Sequence, residues 1–193
     1  SYTENSGVNS LTNLLFLDKD TIEVTINFNY LKWIELGPMT YLLGLLKGWQ
    51  EDNISIFDNL SNNSQKVIER IELLTKRNVH FILGDITDKN SLTEAICHFQ
   101  PDTILHFARL KAVSESVLDS VNYYKVNIGG SINILNAMTE AGCNEIVFSL
   151  SAPVYDNQID PPFKETDATN PISPYGRTKL ACEMLIEDWF ILV

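Results

Sequence analysis

At 193 residues and 45% hydrophobic, the chain has the length of one domain, or of one and part of a second, and enough apolar sequence to build a core. Its 20% charged residues are ordinary for a soluble globular protein. The net charge of −11 argues against a nucleic-acid or anionic-membrane surface and reads as a solvated acidic exterior.

Thr21 to Phe28 alternates like a strand, and Met39 to Lys47 has the composition of a helix. From residue 50 the pattern becomes regular. The apolar run 54–57 ends in Asp58 and predicts a strand. Gln65 to Lys76 carries apolar residues at 67, 68, 71 and 74 with charges between, an amphipathic helix. Strands follow at 79–83, 103–107 and 145–149. Asp88 is placed to cap a helix reaching Phe99. Ser114 to Thr139 reads as helix with a break before Tyr123, and Ser173 to Ile191 as a final helix.

Strands alternating with helices predict an α/β protein with a parallel, doubly wound sheet. The strands are continuous apolar runs, as a sheet covered on both faces requires. Such a sheet binds ligands beyond the carboxyl ends of its strands. The chemically useful groups stand there: Asp58, Asp85, Phe107-Ala108 and the Ser149-Leu150-Ser151 segment. His106, inside an apolar strand, reads as a core histidine.

Cys97, Cys143 and Cys182 are too widely spaced for a disulfide framework or a zinc pattern, so reduced thiols and no metal are expected. No apolar run is long enough to span a bilayer and no signal peptide is visible. A cytoplasmic location is therefore expected, and the Asn-x-Ser triplets at Asn53, Asn59 and Asn62 are read as unused.

The most informative feature is Ser151-Ala152 followed by Tyr175-Gly176-Arg177-Thr178-Lys179. Residues i and i+4 share a helix face, so Lys179 lies one turn from Tyr175, where an ammonium favours the phenolate. A phenolate, a hydroxyl and a lysine form a set suited to moving a proton from a carbinol.

These motifs resemble UDP-glucose 4-epimerase of the extended short-chain dehydrogenase/reductase family. The resemblance runs over roughly residues 37–190 through Asp58 to Ser64, Gly84-Asp85-Ile86, His106 to Val113, Tyr123-Tyr124, Ser149 to Tyr155 and Ser173 to Lys179. It implies a Rossmann-like NAD-binding domain over residues 31–193, truncated before a C-terminal substrate domain, with an unassigned segment 1–30. Ser151, Tyr175 and Lys179 are the implied catalytic set: Tyr175 the base, Ser151 a hydrogen-bond donor to the reacting oxygen, Lys179 a ribose ligand. Asp58 implies NAD over NADP through the adenosine ribose. Asn59, Leu60, Ser61, Asn62 and Asn63 line that ribose, Asp85 and Ile86 flank the adenine, and Phe107, Ala108, Arg109, Leu110 and Lys111 pass beside the pyrophosphate. The tyrosine pair is read as packing.

The cofactor loop departs from the family. Where three glycines are expected, only Gly37 aligns, with Leu31 and Ile34 in place of the other two and Glu35 beside them. Those glycines let the backbone approach the diphosphate, so weakened NAD binding is expected. Arg109 stands where the family has glycine, Pro153 replaces a threonine, Asp156 a glycine and Val126 an asparagine, while Asn127 matches. Three readings follow: an epimerase interconverting UDP-glucose and UDP-galactose; a catalytically impaired remnant acting as a binding module; and an epimerase or dehydratase of another nucleotide sugar. The resemblance also implies a homodimer through helices 114–139 and 173–191.

Overall fold

Hydrogen-bonded strands order the molecule. The structure is a computed structural model describing residues 14–17, 54–61, 64–76 and 78–192. Expectations for the strand 21–28, the helix 39–47, Leu31, Ile34, Glu35, Gly37, Asn62 and Asn63 lie outside the described residues.

The elements run in the order β1 (Leu14–Leu17), β2 (Ile54–Asp58), α1 (Lys66–Thr75), β3 (His80–Leu83), α2 (Lys89–Phe99) and β4 (Thr103–His106). Then come α3 (Val113–Leu118), α4 (Ser120–Tyr124), a π-helical turn (Lys125–Gly129), α5 (Gly130–Ala141), β5 (Glu145–Phe148), a 3-10 turn (Ala152–Val154) and α6 (Pro174–Leu192). Among the described residues the strands form one sheet in the order β3-β2-β1-β4-β5. The expected α/β, Rossmann-like architecture is present.

Parallel pairing holds on both flanks, with Asp58 opposite Leu83 and His106 opposite Phe148. The centre differs from the all-parallel expectation. β1 runs antiparallel to both β2 and β4, with Leu14 opposite Phe57 and His106, and Leu17 opposite Ile54 and Thr103. An apolar run reads the same in either direction, so Leu-Leu-Phe-Leu satisfies the central slot whichever way it points. The consequence is geometric. The carboxyl end of β1 lies at the edge opposite Asp58 and His106.

The core forms where α2 and α5 pack together. Phe57, Leu92, Ile96, Ile104, Ile134 and Met138 are fully buried there. Asp88 caps α2 by accepting from the backbone N–H groups of Asn90 and Ser91, at 3.2 and 3.3 Å. Gly142, at φ +73°, ends α5 in the left-handed conformation that glycine adopts without strain.

α6 crosses α3, α4, the π-helical turn and the 3-10 turn. Ser173 starts it, its Oγ accepting from the Gly176 N–H at 3.0 Å. Gly176 permits the crossing: a Cβ there would meet the Pro153 carbonyl oxygen at 2.4 Å. The backbone of the Ser151 segment thus lies directly against the first turn of α6.

The expected break before Tyr123 falls at Asp119, which separates α3 from α4. The π-helical turn was not foreseen. It carries Asn127, buried and fully engaged. Asn127 Oδ1 accepts from the Leu110 N–H at 2.9 Å; Nδ2 donates to the Leu110 carbonyl at 3.1 Å and to Thr178 Oγ1 at 3.0 Å. One side chain therefore fixes the loop after β4 to α6.

Candidate active site

The carboxyl ends of β2, β3 and β4 border a small, partly open pocket. Asp58, Asn59, Ser61, Asp85, Ile86, Ala108, Arg109 and Leu110, all expected at a cofactor site, line it together. Phe57, Gly84 and Val126, none of them assigned to the cofactor from sequence, join them. Gly84 belongs there because a Cβ would lie 2.3 Å from the Phe57 ring.

Asp58 is buried, and its Oδ1 accepts from the Leu60 N–H at 2.6 Å. That bond helps hold Leu60 at φ +53°, a conformation costly for a leucine. Asn59 donates to Asp85 Oδ2 at 2.7 Å, and Thr87 donates to Asp85 Oδ1 through its N–H and Oγ1. Burial pushes the Asp85 carboxyl up, but these bonds and the Lys125 charge outweigh it and hold the group below its usual range.

The second group lies beyond β5. Ser151 lines a broad cleft with Leu150, Ala152, Tyr155, Pro161, Pro162 and Phe163, where the Tyr155 and Phe163 rings stack at 4.8 Å. Tyr175 and Lys179 are buried on α6. They lie beneath the surface and line neither cleft. Tyr123 packs as expected and also donates to the Ala112 carbonyl at 2.8 Å. Burial and Glu115 raise its hydroxyl to about 12.

Lys179 Nζ sits 3.6 Å above the Phe148 ring, a favourable cation–π position. Burial, and then the nearby Arg109 guanidinium, lower its pKa to about 6. Burial thus works against the ammonium expected beside Tyr175. Arg109, the smaller cause, donates from its Nη1 to Ser149 Oγ at 2.9 Å. Lys111, part-buried, is lowered by burial and by the same guanidinium.

His106 lies beneath this cluster. Its Nε2 is 2.8 Å from Ser131 Oγ, which donates to the Asn127 carbonyl at 2.7 Å. Its Nδ1 has no partner among the described residues, so the core histidine is only half satisfied. Burial first, then Lys179 and Arg109, hold its pKa well below the usual value, so the ring is neutral.

Cys143 and Cys182 are buried, Cys97 is half-buried, and all three are free. Among the described residues no cluster suits a metal ion, and no helix is long and apolar enough to cross a membrane.

A Rossmann-like sheet with a serine beyond one strand and Tyr-x-x-x-Lys on the next helix defines an extended short-chain dehydrogenase/reductase. The family model described as GDP-mannose 4,6 dehydratase matches residues 40–190, and the chain belongs to this family. It is 39% identical over 157 residues to the UDP-glucose 4-epimerase of Schizosaccharomyces pombe, covering 79% of this chain and 43% of that protein. It is 37% identical over 155 residues to the UDP-glucose 4-epimerase of Erwinia amylovora, covering 80% of this chain and 45% of that protein. Among solved structures, the UDP-glucose 4-epimerase of Stenotrophomonas maltophila with bound NAD and formylated UDP-arabinopyranose superposes with a TM-score of 0.67 at 42% identity. That match covers 69% of this chain and 40% of the other. The chain thus spans less than half the length of these relatives.

The Lys179 environment has a measurable consequence. Between the folded value of about 6 and the unfolded 10.5, the unfolded chain holds a proton that the folded chain lacks. Stability from this group therefore rises with pH across that window and is lost as pH falls through the folded value. Urea unfolding between about pH 6.5 and 8.5 should show wild type gaining on Lys179→Met by about 1.4 kcal/mol per pH unit. Groups common to both proteins cancel in the difference, and a flat difference contradicts the assignment.

Proposed function

We propose that this chain is the cofactor-binding, catalytic half of a nucleotide-sugar 4-epimerase, with UDP-glucose and UDP-galactose as the substrate pair. One observation carries the reading: Asp58 and Asp85 at one end of the strand edge, and Ser151 with Tyr175 and Lys179 at the other, in a chain similar to UDP-glucose 4-epimerases.

The residues present suit NAD in two respects. The Asp58–Asp85 pocket offers carboxylates to ribose hydroxyls, and Asp58 repels an added phosphate. The cations beside it, Arg109, Lys111 and Lys179, lie outside the ion pair found among the described residues, Lys89–Glu140. When bound, NAD would supply a reversible hydride acceptor for the sugar C4, so that the reaction has no net redox change.

The chain's own groups handle the proton. Tyr175, as phenolate, takes it from the sugar 4-hydroxyl and gives it back. Ser151, facing the open cleft, donates a hydrogen bond to the reacting oxygen. Lys179 lies one turn from Tyr175, where it reaches both the phenol and a ribose. Gly176 sets the α6–Ser151 spacing by allowing the Pro153 carbonyl to approach. The broad cleft beside Ser151 offers the stacked Tyr155–Phe163 pair as an apolar wall for the sugar.

One observation favours a second reading, an impaired binding module: Leu31 and Ile34 stand where the family has glycines that let the backbone approach a diphosphate.

The catalytic reading is tested by turnover of UDP-galactose in a protein containing this chain. Tyr175→Phe should lower kcat by about 10²- to 10⁴-fold with little change in KM. Unchanged turnover rejects the assigned base.

We further propose a homodimer through the segments 114–139 and 173–191. Val117, Leu118, Val121 and Met184 support it, being strongly exposed apolar residues on α3, α4 and α6. Sedimentation equilibrium should give twice the chain mass, reverting to the monomer in Leu118→Glu/Val121→Glu. A monomer at every concentration excludes the pairing.

A further inference from the structure

Three basic side chains, Arg109, Lys111 and Lys179, meet at the carboxyl ends of β4 and β5, with Glu183 as the carboxylate that bears on Lys179. Arg109 presses on both Lys111 and Lys179, shifting each toward its neutral form. The ion pair among the described residues, Lys89–Glu140, is elsewhere. Arg109 is also incompletely used. Its Nη1 donates to Ser149, while its Nε is buried without a partner. Buried guanidinium donors without an acceptor are costly, and the natural acceptor for a planar guanidinium fork is a carboxylate or a phosphate.

Its position narrows that choice. Arg109 lines the pocket of Asp58, Gly84 and Asp85. The same guanidinium bonds to Ser149, two residues before Ser151, and acts electrostatically on Lys179. It therefore touches both halves of the site. A dinucleotide laid along this edge, adenosine at Asp58 and reactive ring at Lys179, brings only its diphosphate past the midpoint.

We propose that Arg109 is a diphosphate-binding residue, supplying by side-chain charge the contact that backbone N–H groups supply elsewhere in this fold. The assignment rests on the NAD reading above. Bound diphosphate satisfies the orphan Nε and neutralises the charge bearing on Lys179. Arg109 would then couple cofactor binding to the charge state of the lysine beside Tyr175.

Titration calorimetry of the full chain with ADP-ribose and with adenosine tests this. Arg109→Gln should weaken ADP-ribose by about tenfold or more and leave adenosine binding unchanged, with Arg109→Lys between the two. Equal or tighter ADP-ribose binding by Arg109→Gln overturns the assignment and makes Arg109 an obstruction. Equal loss for adenosine also overturns it, since the residue then only supports the fold. If wild type binds no ADP-ribose at all, the NAD reading and the assignment fall together; binding that ignores Arg109 removes the assignment alone.

Discussion

Asn127 is the constraint on which the site depends. It sits in a π-helical turn, and its amide closes three hydrogen bonds, two to the Leu110 backbone and one to Thr178. Leu110 belongs to the loop that carries Arg109 and Lys111. Thr178 is the residue before Lys179. A buried amide with all these partners is worth a few kcal/mol, since each lost bond leaves a desolvated partner. Its carbonyl is used as well, accepting from Ser131 Oγ at 2.7 Å and from Cys182 Sγ at 3.4 Å. The positions of the cations, and of α6 against the strand ends, follow from this one residue.

Electrostatics then set what the site lacks. Lys179, Lys111 and His106 are all shifted toward their neutral forms, and Arg109 contributes to each shift. A protein interior that gathers like charges stores their repulsion until an anion enters. The neighbouring Asp85 shows the opposite case, a carboxylate held charged by donors from Thr87 and Asn59. The two ends of the edge therefore differ in sign: hydroxyl-accepting carboxylates at one, phosphate-seeking cations at the other.

Much of this was legible in the sequence. The strands at Asp58, Leu83, His106 and Phe148 are apolar runs bounded by helical periodicity, so their order and parallel flanks could be read directly. Tyr175, Lys179 and Ser151 declare themselves by spacing. The direction of β1 was not legible, because Leu-Leu-Phe-Leu carries no polarity along the chain. The π-helical turn was invisible for a related reason: one extra residue barely disturbs a helical pattern. Arg109 was recognised as a departure, but its contact with Ser149 spans 40 residues of sequence, and its effect on Lys179 is purely spatial.

Every functional step above assumes that the strand edge holds a dinucleotide. The most direct measurement is the amount of NAD bound per chain, quantified by acid release from purified protein and by equilibrium dialysis against added NAD. The account predicts saturable binding approaching one NAD per chain, reduced in Asp58→Ala. No NAD released and none taken up by dialysis would contradict it, and leave a fold that keeps the catalytic residues without the cofactor they serve.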